Sequence, residues 1–198
     1  YEMSASLVGS EMCIRDRRRG ELDFFRMNLP EYDETALKEW INSGVWRHHI
    51  ESSDYFHSLP SIFESFGVAL VYVPYLPKTV YGCVRWFESK PLIQISDRNR
   101  DLATCWFTLF HELGHVLLHR NEDILEGQLN ESKYKLSKIE REANKFANSY
   151  LFNGDFLRKA VFDRKREGQP MTADTLADEF NVHSIFTACL LYTSPSPR

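Results

Sequence analysis

The sequence has neither an excess of basic residues nor an apolar run of membrane-spanning length. Its 198 residues include 24 Lys and Arg against 28 Asp and Glu, a formal net charge of −4 at pH 7. Proteins that bind nucleic acid directly usually carry a basic patch, so this balance gives no reason to expect such binding. Because a helix that spans a bilayer needs about 20 mostly apolar residues, no membrane contact is expected either.

Both ends of the chain resemble sequence of technical origin. Residues 7–16 and 189–198 can be encoded by DNA strings that are reverse complements over most of their length, and both strings resemble the adaptor of transposase-based sequencing libraries. We therefore interpret residues 1–17 and 189–198 as translated adaptor, exclude them from fold reasoning and expect the true termini to be missing. Residues 18–188 keep 21 of the 24 basic and 25 of the 28 acidic residues, so the net charge does not change.

Cysteine is scarce in the remaining chain, which keeps Cys83 and Cys105. Two thiols without zinc-ribbon spacing support neither a disulfide framework nor a cysteine-ligated zinc site. Disulfides are rare in the reducing cytosol, and no secretory signal can be read, so we expect a cytoplasmic protein. About 170 residues are enough for one domain with its own core.

The sequence does contain an H-E-x-x-H motif, within an apolar stretch at residues 106–119. Apolar residues on nearly every side predict one buried helix. His111 and His115 lie about one turn apart on one face, so their imidazoles can bind a single zinc ion. Glu112 can reach a zinc-bound water without being a ligand, and zinc lowers the pKa of that water so that a carboxylate can take its proton. The motif therefore predicts a hydrolytic metal centre.

A catalytic zinc site needs a third protein ligand and an open fourth position. The metzincin pattern does not supply it, because Leu118 and Asn121 stand where that pattern requires Gly and His. His119 continues the face of the two motif histidines, but it lies about 12 Å from His111 along the helix axis. We therefore expect His119 to support the site or the fold rather than to bind the same ion.

A later helix, predicted over residues 139–151, offers the third ligand. Glu140 shares a face with two alanines and with Asn144, at helical spacings of three, four and seven residues. The alanines would allow a close approach to the histidine-bearing helix, and Asn144 could hydrogen-bond a ligand. Glu142 shares its face with Phe146 instead, so Glu140 is preferred and Glu142 is kept as the alternative.

These motifs resemble a known family. The run F-T-L-F-H-E-L-G-H-V-L-L-H, followed by E-R-E-A-N-K-F-A, is similar to the ImmA/IrrE zinc metallopeptidases of bacteria and their mobile elements. Residues 82–86 and 91–98 are similar to the segment that precedes the active helix in that family. The resemblance covers about residues 55–188.

The resemblance implies that His111, His115 and Glu140 hold Zn²⁺ and that Glu112 is the general base. Members of that family are known for cleaving a DNA-binding repressor, and many are fused to, or encoded beside, a helix-turn-helix protein. The implied partner is therefore a protein substrate, a helix-turn-helix repressor or another regulatory protein. The resemblance also suggests that Leu92–Ser96 is an edge strand that binds an extended substrate.

We predict an α+β, zincin-like fold, in which a small antiparallel sheet packs on the active helix and on the second ligand-bearing helix. Residues 18–54 are predicted to be a helical segment or linker, and residues 55–188 the peptidase domain. The sheet is expected from three strands, over residues 68–73, 81–87 and 92–95. Further helices are predicted over residues 33–44, 59–66 and 155–166, and residues 172–184 resemble half of a helix-turn-helix, for which packing is the preferred role.

Several polar residues remain as weaker candidates. His48, His49 and His57 lack helical spacing with one another, so a metal role is disfavoured. Tyr134, in the charged connector of residues 120–137, is a candidate for stabilising the oxyanion. Residues 97–101 read as a polar loop, in which Arg98 and Arg100 could face either solvent or substrate, and solvent is preferred.

The alternative to a peptidase is a non-catalytic regulatory module, part of an antitoxin or transcription regulator, in which zinc serves only the structure. A structural zinc site is closed by four protein ligands. The sequence offers three ligands and a well-placed base, which favours catalysis.

Overall fold

The computed structural model describes residues 20–73, 82–96, 102–120, 133–152 and 155–193. The helices are α1 (Glu34–Ser43), α2 (Ser53–Glu64), α3 (Leu102–Leu118), α4 (Lys133–Leu151), α5 (Asp155–Glu167), α6 (Ala173–Phe180) and α7 (Ser184–Thr193), and a short 3₁₀ helix spans Val45–His49. The strands are β1 (Ala69–Val73), β2 (Gly82–Phe87) and β3 (Lys90–Ser96). Residues 20–26 are also helical. The α+β class is confirmed.

The sheet is mixed rather than antiparallel, in the order β1-β3-β2. β2 and β3 form a hairpin around Glu88 and Ser89, whose positive φ values of 49° and 69° are typical of a tight hairpin turn. β1 pairs with β3 in parallel. β3 is buried along residues 91–96, which is typical of a strand with neighbours on both sides. The prediction of a purely antiparallel sheet is therefore wrong.

The strand order also changes the expected substrate edge. Leu92–Ser96 lies in the central strand, because each side of it is already hydrogen-bonded to a neighbour. Among the described residues β2 pairs with β3 alone, so β2 is the edge strand on the side of the sheet that packs on α3. The prediction that Leu92–Ser96 is an edge strand is therefore wrong, and β2 is an edge strand instead.

The predicted ends of α1 are confirmed. Asp33 caps the helix, because its Oδ1 accepts a hydrogen bond from the Ala36 amide at 2.9 Å. Gly44 ends the helix with a φ of 66°, a conformation that favours glycine.

α2 begins at Ser53, six residues before the predicted start. Ser52 supplies the cap, since its Oγ accepts a hydrogen bond from the Tyr55 amide at 3.1 Å. Pro60 lies inside the helix and has no N–H to donate to the Phe56 carbonyl one turn earlier. The hydroxyl of Tyr72 on β1 donates to that carbonyl instead, so a tertiary contact compensates for the missing helical bond.

The main core lies between the sheet and the helices, and the segment before α2 belongs to it. The side chains of Trp46 and Trp106 are fully buried with their rings 5.8 Å apart. The indole N–H of Trp106 donates to the Ile50 carbonyl at 3.0 Å. Residues 46–50 therefore pack against the active helix itself.

The opposite face of the sheet is covered by the first described residues. Phe24 and Leu29 pack there against Leu92 and neighbouring apolar residues of β1. Arg85 of β2 is buried and forms an ion pair with Glu21. This segment thus buries the face of the sheet that points away from α3.

The C-terminal helices pack on the domain, as preferred from the sequence. Thr172 and Thr175 form a capping box at the start of α6, and Asn181 ends that helix with a φ of 51°. Leu176 of α6 and Phe186 of α7 are buried in the main core. Among the described residues, no helix has the length and apolarity needed to cross a membrane.

Candidate metal centre

Close packing of α3 on α4 brings the two ligand-bearing helices together. A Cβ on Gly114 would lie 3.1 Å from the Cα of Ala143, so the absence of a side chain allows this approach. Ala143 and Ala147 are fully buried. Ala143 and Ala147, the small residues on the Glu140 face, therefore allow α4 to pack closely on α3, as the sequence predicted.

The imidazoles of His111 and His115 and the carboxylate of Glu140 converge at one point. The two Nε2 atoms are 3.0 Å apart, and the Glu140 oxygens lie 3.2 Å from His111 Nε2 and 3.5 Å from His115 Nε2. Ligand atoms at a tetrahedral zinc, each about 2.0–2.1 Å from the metal, are about 3.3 Å from one another. The three observed separations bracket that value, so the donor set fits a zinc ion in both chemistry and size.

The second nitrogen of each imidazole contacts a polar side chain. His111 Nδ1 lies 3.2 Å from Asn144 Oδ1, as the sequence suggested for Asn144. His115 Nδ1 lies 3.2 Å from His119 Nδ1, and His119 Nε2 lies 3.0 Å from Glu142 Oε2. Glu142, the alternative third ligand, thus contacts His119, while Glu140 contacts both motif histidines.

Burial and charge act differently on the two motif histidines. Burial and the neighbouring charge of His111 lower the pKa of His115 to about 4, so its imidazole is neutral near pH 7, as a metal ligand must be. Burial also works to lower the pKa of His111, but the hydrogen bond to Glu140 and the charge of Glu112 outweigh it and raise that pKa. Burial would raise the pKa of Glu140, but the hydrogen bond from His111 lowers it, so Glu140 is a carboxylate.

Glu112 lies beside this cluster, on the wall of a cavity of about 310 Å³. Its side chain is buried, and its Oε1 approaches the backbone of Gly82 so closely that a Cβ there would lie only 2.4 Å away. The cavity is also lined by residues of β2, α3 and α4: Gly82, Cys83, Thr104, Phe107, Thr108, His111, His115, Glu140 and Asn144. The buried carboxylate of Glu112, the His111–His115–Glu140 triad that could hold a metal ion, and the edge strand β2 therefore meet in one cavity.

The remaining histidine candidates lie elsewhere. His49 stacks on Tyr55 with ring centroids 4.2 Å apart, and His57 Nδ1 contacts the Ser53 carbonyl at 2.7 Å. Within the described part of the chain, the group of side chains that could hold a metal consists of His111, His115 and Glu140. The side chain of Tyr134 and residues 97–101 and 121–132 lie outside the described part of the chain.

The contact of His119 with Glu142 was not predicted. The four-residue spacing of His115 and His119 shows that these two share a face, but it gives no partner from another helix. The contact of Gly82 with Glu112 was missed for the same reason, because it joins a strand to a helix far apart in the sequence.

Comparison with known proteins adds one finding. The family model Peptidase_M78, described as the IrrE N-terminal-like domain, matches residues 63–189, more than half of the chain. No curated protein matches the chain.

Proposed function

Since the chain belongs to the IrrE N-terminal-like peptidase family, whose members are metallopeptidases, we propose that it is a zinc-dependent endopeptidase. The observation that carries the proposal is the convergence of His111, His115 and Glu140, whose ligand atoms all lie within 4.8 Å of one another. Glu112 borders the same cavity. Three ligands with a carboxylate nearby are the arrangement of a catalytic zinc site rather than of a structural one.

In this proposal His111, His115 and Glu140 hold the zinc. Zinc supplies Lewis acidity, which polarises a peptide carbonyl and makes water acidic enough to be deprotonated near neutral pH. The chain holds the ligands ready, because the two imidazoles come from one rigid helix and the carboxylate from the helix packed on it. Asn144 accepts a hydrogen bond from His111 Nδ1–H, which leaves Nε2 of that ring free for the metal.

Glu112 is the proposed general base and later proton donor. It is adjacent to His111 in sequence, its carboxylate lies against Gly82, and it lines the same cavity as His111, His115 and Glu140. There its Oε1 or Oε2 can take a proton from the attacking water and return it to the leaving amine. Burial of Glu112 keeps bulk water from competing for that proton.

An extended polypeptide is the substrate that the cavity suits. Gly82 and Cys83 bring the edge strand β2 to the cavity, so a substrate segment that adds to this edge would carry its backbone past the triad. Binding along an edge needs no free chain end, and this favours cleavage within a protein. The family resemblance of the two helical motifs supports a DNA-binding repressor or another regulatory protein as the target.

The test uses the full-length protein with helix-turn-helix repressors encoded nearby. Glu112→Gln should keep stoichiometric zinc but abolish cleavage, because the change removes the base and leaves the ligands. Glu39→Gln, an exposed substitution on α1 with the same chemistry, is the matched control and should cleave as the parent does. Cleavage is followed by gel and mass spectrometry, and zinc by atomic emission.

If Glu112→Gln cuts as fast as the parent, the assigned mechanism is wrong. If the parent binds zinc but cuts no repressor and no peptide in a broad fluorescent library, the non-catalytic regulatory module becomes the better description. If His111→Ala and His115→Ala bind zinc as tightly as the parent, the metal site is wrong.

A further inference from the structure

We propose that His119 and Glu142 are positioning residues, which hold His115 in the one tautomer that can bind the metal. The inference rests on the proposed metal site and adds a role for two side chains outside the triad. His115, His119 and Glu142 form a chain of hydrogen bonds, here called the relay, from the metal ligand to the protein surface. His115 Nδ1 lies 3.2 Å from His119 Nδ1, and His119 Nε2 lies 3.0 Å from Glu142 Oε2.

The groups at the two ends of the relay, the metal at His115 and the carboxylate of Glu142, determine which nitrogen of each imidazole carries the proton. His115 must present an unprotonated Nε2 to the metal, so a neutral His115 carries its proton on Nδ1. That proton can be donated only if His119 Nδ1 is an acceptor, which places the His119 proton on Nε2. Glu142 Oε2 accepts this second hydrogen bond, and the carboxylate cannot act as a donor. Every hydrogen bond in the chain then runs in one direction, away from the metal.

The opposite assignment is incompatible with metal binding. If His119 carried its proton on Nδ1, His115 Nδ1 would have to accept, and the neutral His115 ring would carry its proton on Nε2. That proton would occupy the lone pair that the metal needs. Glu142 therefore favours the metal-binding tautomer of His115, although it does not contact that ring.

Burial makes His119 suitable for this role. Its side chain is 7% exposed, whereas that of Glu142 is 44% exposed. A buried imidazole needs partners for both nitrogens, and His119 finds them in His115 and Glu142. The second helix thus contributes twice to the site, with Glu140 as a ligand and Glu142 as the end of the relay two residues later.

The two motif histidines are oriented by different devices. His111 faces the amide oxygen of Asn144, a neutral acceptor on α4. Nδ1 of His115 contacts the imidazole of His119, whose other nitrogen contacts the carboxylate of Glu142. A charged acceptor at the end of a hydrogen-bond chain makes the ligand a stronger donor to the metal than a neutral acceptor does, so loss of the relay should weaken zinc binding.

The first test measures zinc affinity by competition with a chromophoric chelator, using the full chain and Zn²⁺ alone. Glu142→Ala and His119→Phe should each bind zinc about 10- to 100-fold more weakly, as removal of such supporting groups typically does. Glu142→Gln keeps an acceptor oxygen and should recover most of the affinity lost in Glu142→Ala. Alanine suits an exposed helix position, so Glu142→Ala folds even if His119→Phe does not.

Lys138→Gln is the matched control. Lys138 Nζ lies 3.7 Å from Glu142 Oε1 in an exposed ion pair, so the substitution changes the charge beside Glu142 but not its bond to His119. Its zinc affinity should equal that of the parent. An equal loss in Lys138→Gln and Glu142→Ala would overturn the relay in favour of a general effect of surface charge.

The second test reads the tautomers directly, by long-range ¹H–¹⁵N correlation spectra of the zinc-loaded protein labelled at histidine. The proposal requires the proton of His115 on Nδ1 and that of His119 on Nε2. A His119 ring protonated on Nδ1 would refute it, whatever the affinities are. In Glu142→Ala, the spectrum of His119 should show a mixture of both tautomers.

Failure of this inference and failure of the proposed function give different results. If the parent binds no zinc, the metal site itself is wrong. If the parent binds zinc and Glu142→Ala binds it equally tightly, the site stands and the relay falls. A merely structural role for His119 would lower the free energy of unfolding of the zinc-free protein, but it would not make zinc affinity depend on Glu142.

Discussion

Replacing Gly82 with alanine should disable Glu112, the proposed general base, while leaving the proposed metal ligands intact. A Cβ at residue 82 would lie 2.4 Å from Glu112 Oε1, whereas ordinary contacts begin at 3.4 Å. The carboxylate must therefore retreat by about 1 Å, a displacement that typically costs about 100-fold in rate. This corresponds to about 2.7 kcal/mol in the activation free energy.

The assay separates catalysis from binding. kcat is measured on a pool of quenched fluorescent peptides, and zinc affinity by chelator competition. The atoms nearest to the new methyl group belong to Glu112 and Thr108, so the zinc affinity of Gly82→Ala should match that of the parent. Because a Cβ at residue 82 would also lie 2.8 Å from Thr108 Cγ2 and overpacking costs stability, urea denaturation of Gly82→Ala checks that a loss of rate does not reflect unfolding.

A double-mutant cycle supplies the control. If the alanine acts only through the carboxylate, adding Gly82→Ala to Glu112→Gln should cause almost no further loss of rate, because the base has already been removed. A parent-like kcat in Gly82→Ala would refute the reasoning. A full additional 100-fold loss in the double mutant would show that the methyl group acts on the substrate instead.

Two further predictions concern the scaffold. Gly114→Val should lower the free energy of unfolding by about 1–3 kcal/mol, because even a Cβ at this position lies 3.1 Å from the Ala143 backbone; urea denaturation measures this, and an unchanged midpoint would contradict close helix packing. Tyr72→Phe should cost about 1 kcal/mol by removing the hydroxyl that donates to the Phe56 carbonyl. The cost should shrink in a Pro60→Ala background, where residue 60 regains an N–H for that carbonyl; an equal cost in both backgrounds would show that the hydroxyl does not replace the helical bond.

The sequence predicted the features that depend on local geometry. The helical repeat places His111 over His115 whatever surrounds them, and it places Glu140 on one face with Ala143 and Asn144. Helix ends at Asp33 and Gly44 were predictable for the same reason, since capping involves neighbours in sequence. Strand positions followed from β-branched runs.

Features that join distant segments could not be read from the sequence. The prediction of a purely antiparallel sheet failed because the β-branched run of β1 is compatible with pairing in either direction, and its partner strand β3 lies about 20 residues later in the chain. The helix predicted over residues 59–66 has Pro60 in its first turn, where proline is tolerated. The structure has Pro60 inside a longer helix instead, and only the fold shows that Tyr72 donates to the carbonyl that Pro60 leaves without a helical partner.

The candidate metal centre depends both on local helix geometry, which the sequence reveals, and on the packing of distant segments, which it does not. The sequence by itself determined which residue types are present and which of them share a helix face, because the rise and twist of a helix are the same in every protein. Only the tertiary structure decided that Glu140 meets the histidines while Glu142 meets His119, since residues two apart on one helix point in different directions and the packing of α4 on α3 determines which faces the site. The approach of Gly82 to Glu112 was likewise decided by packing, because it depends on where a strand lies against a helix.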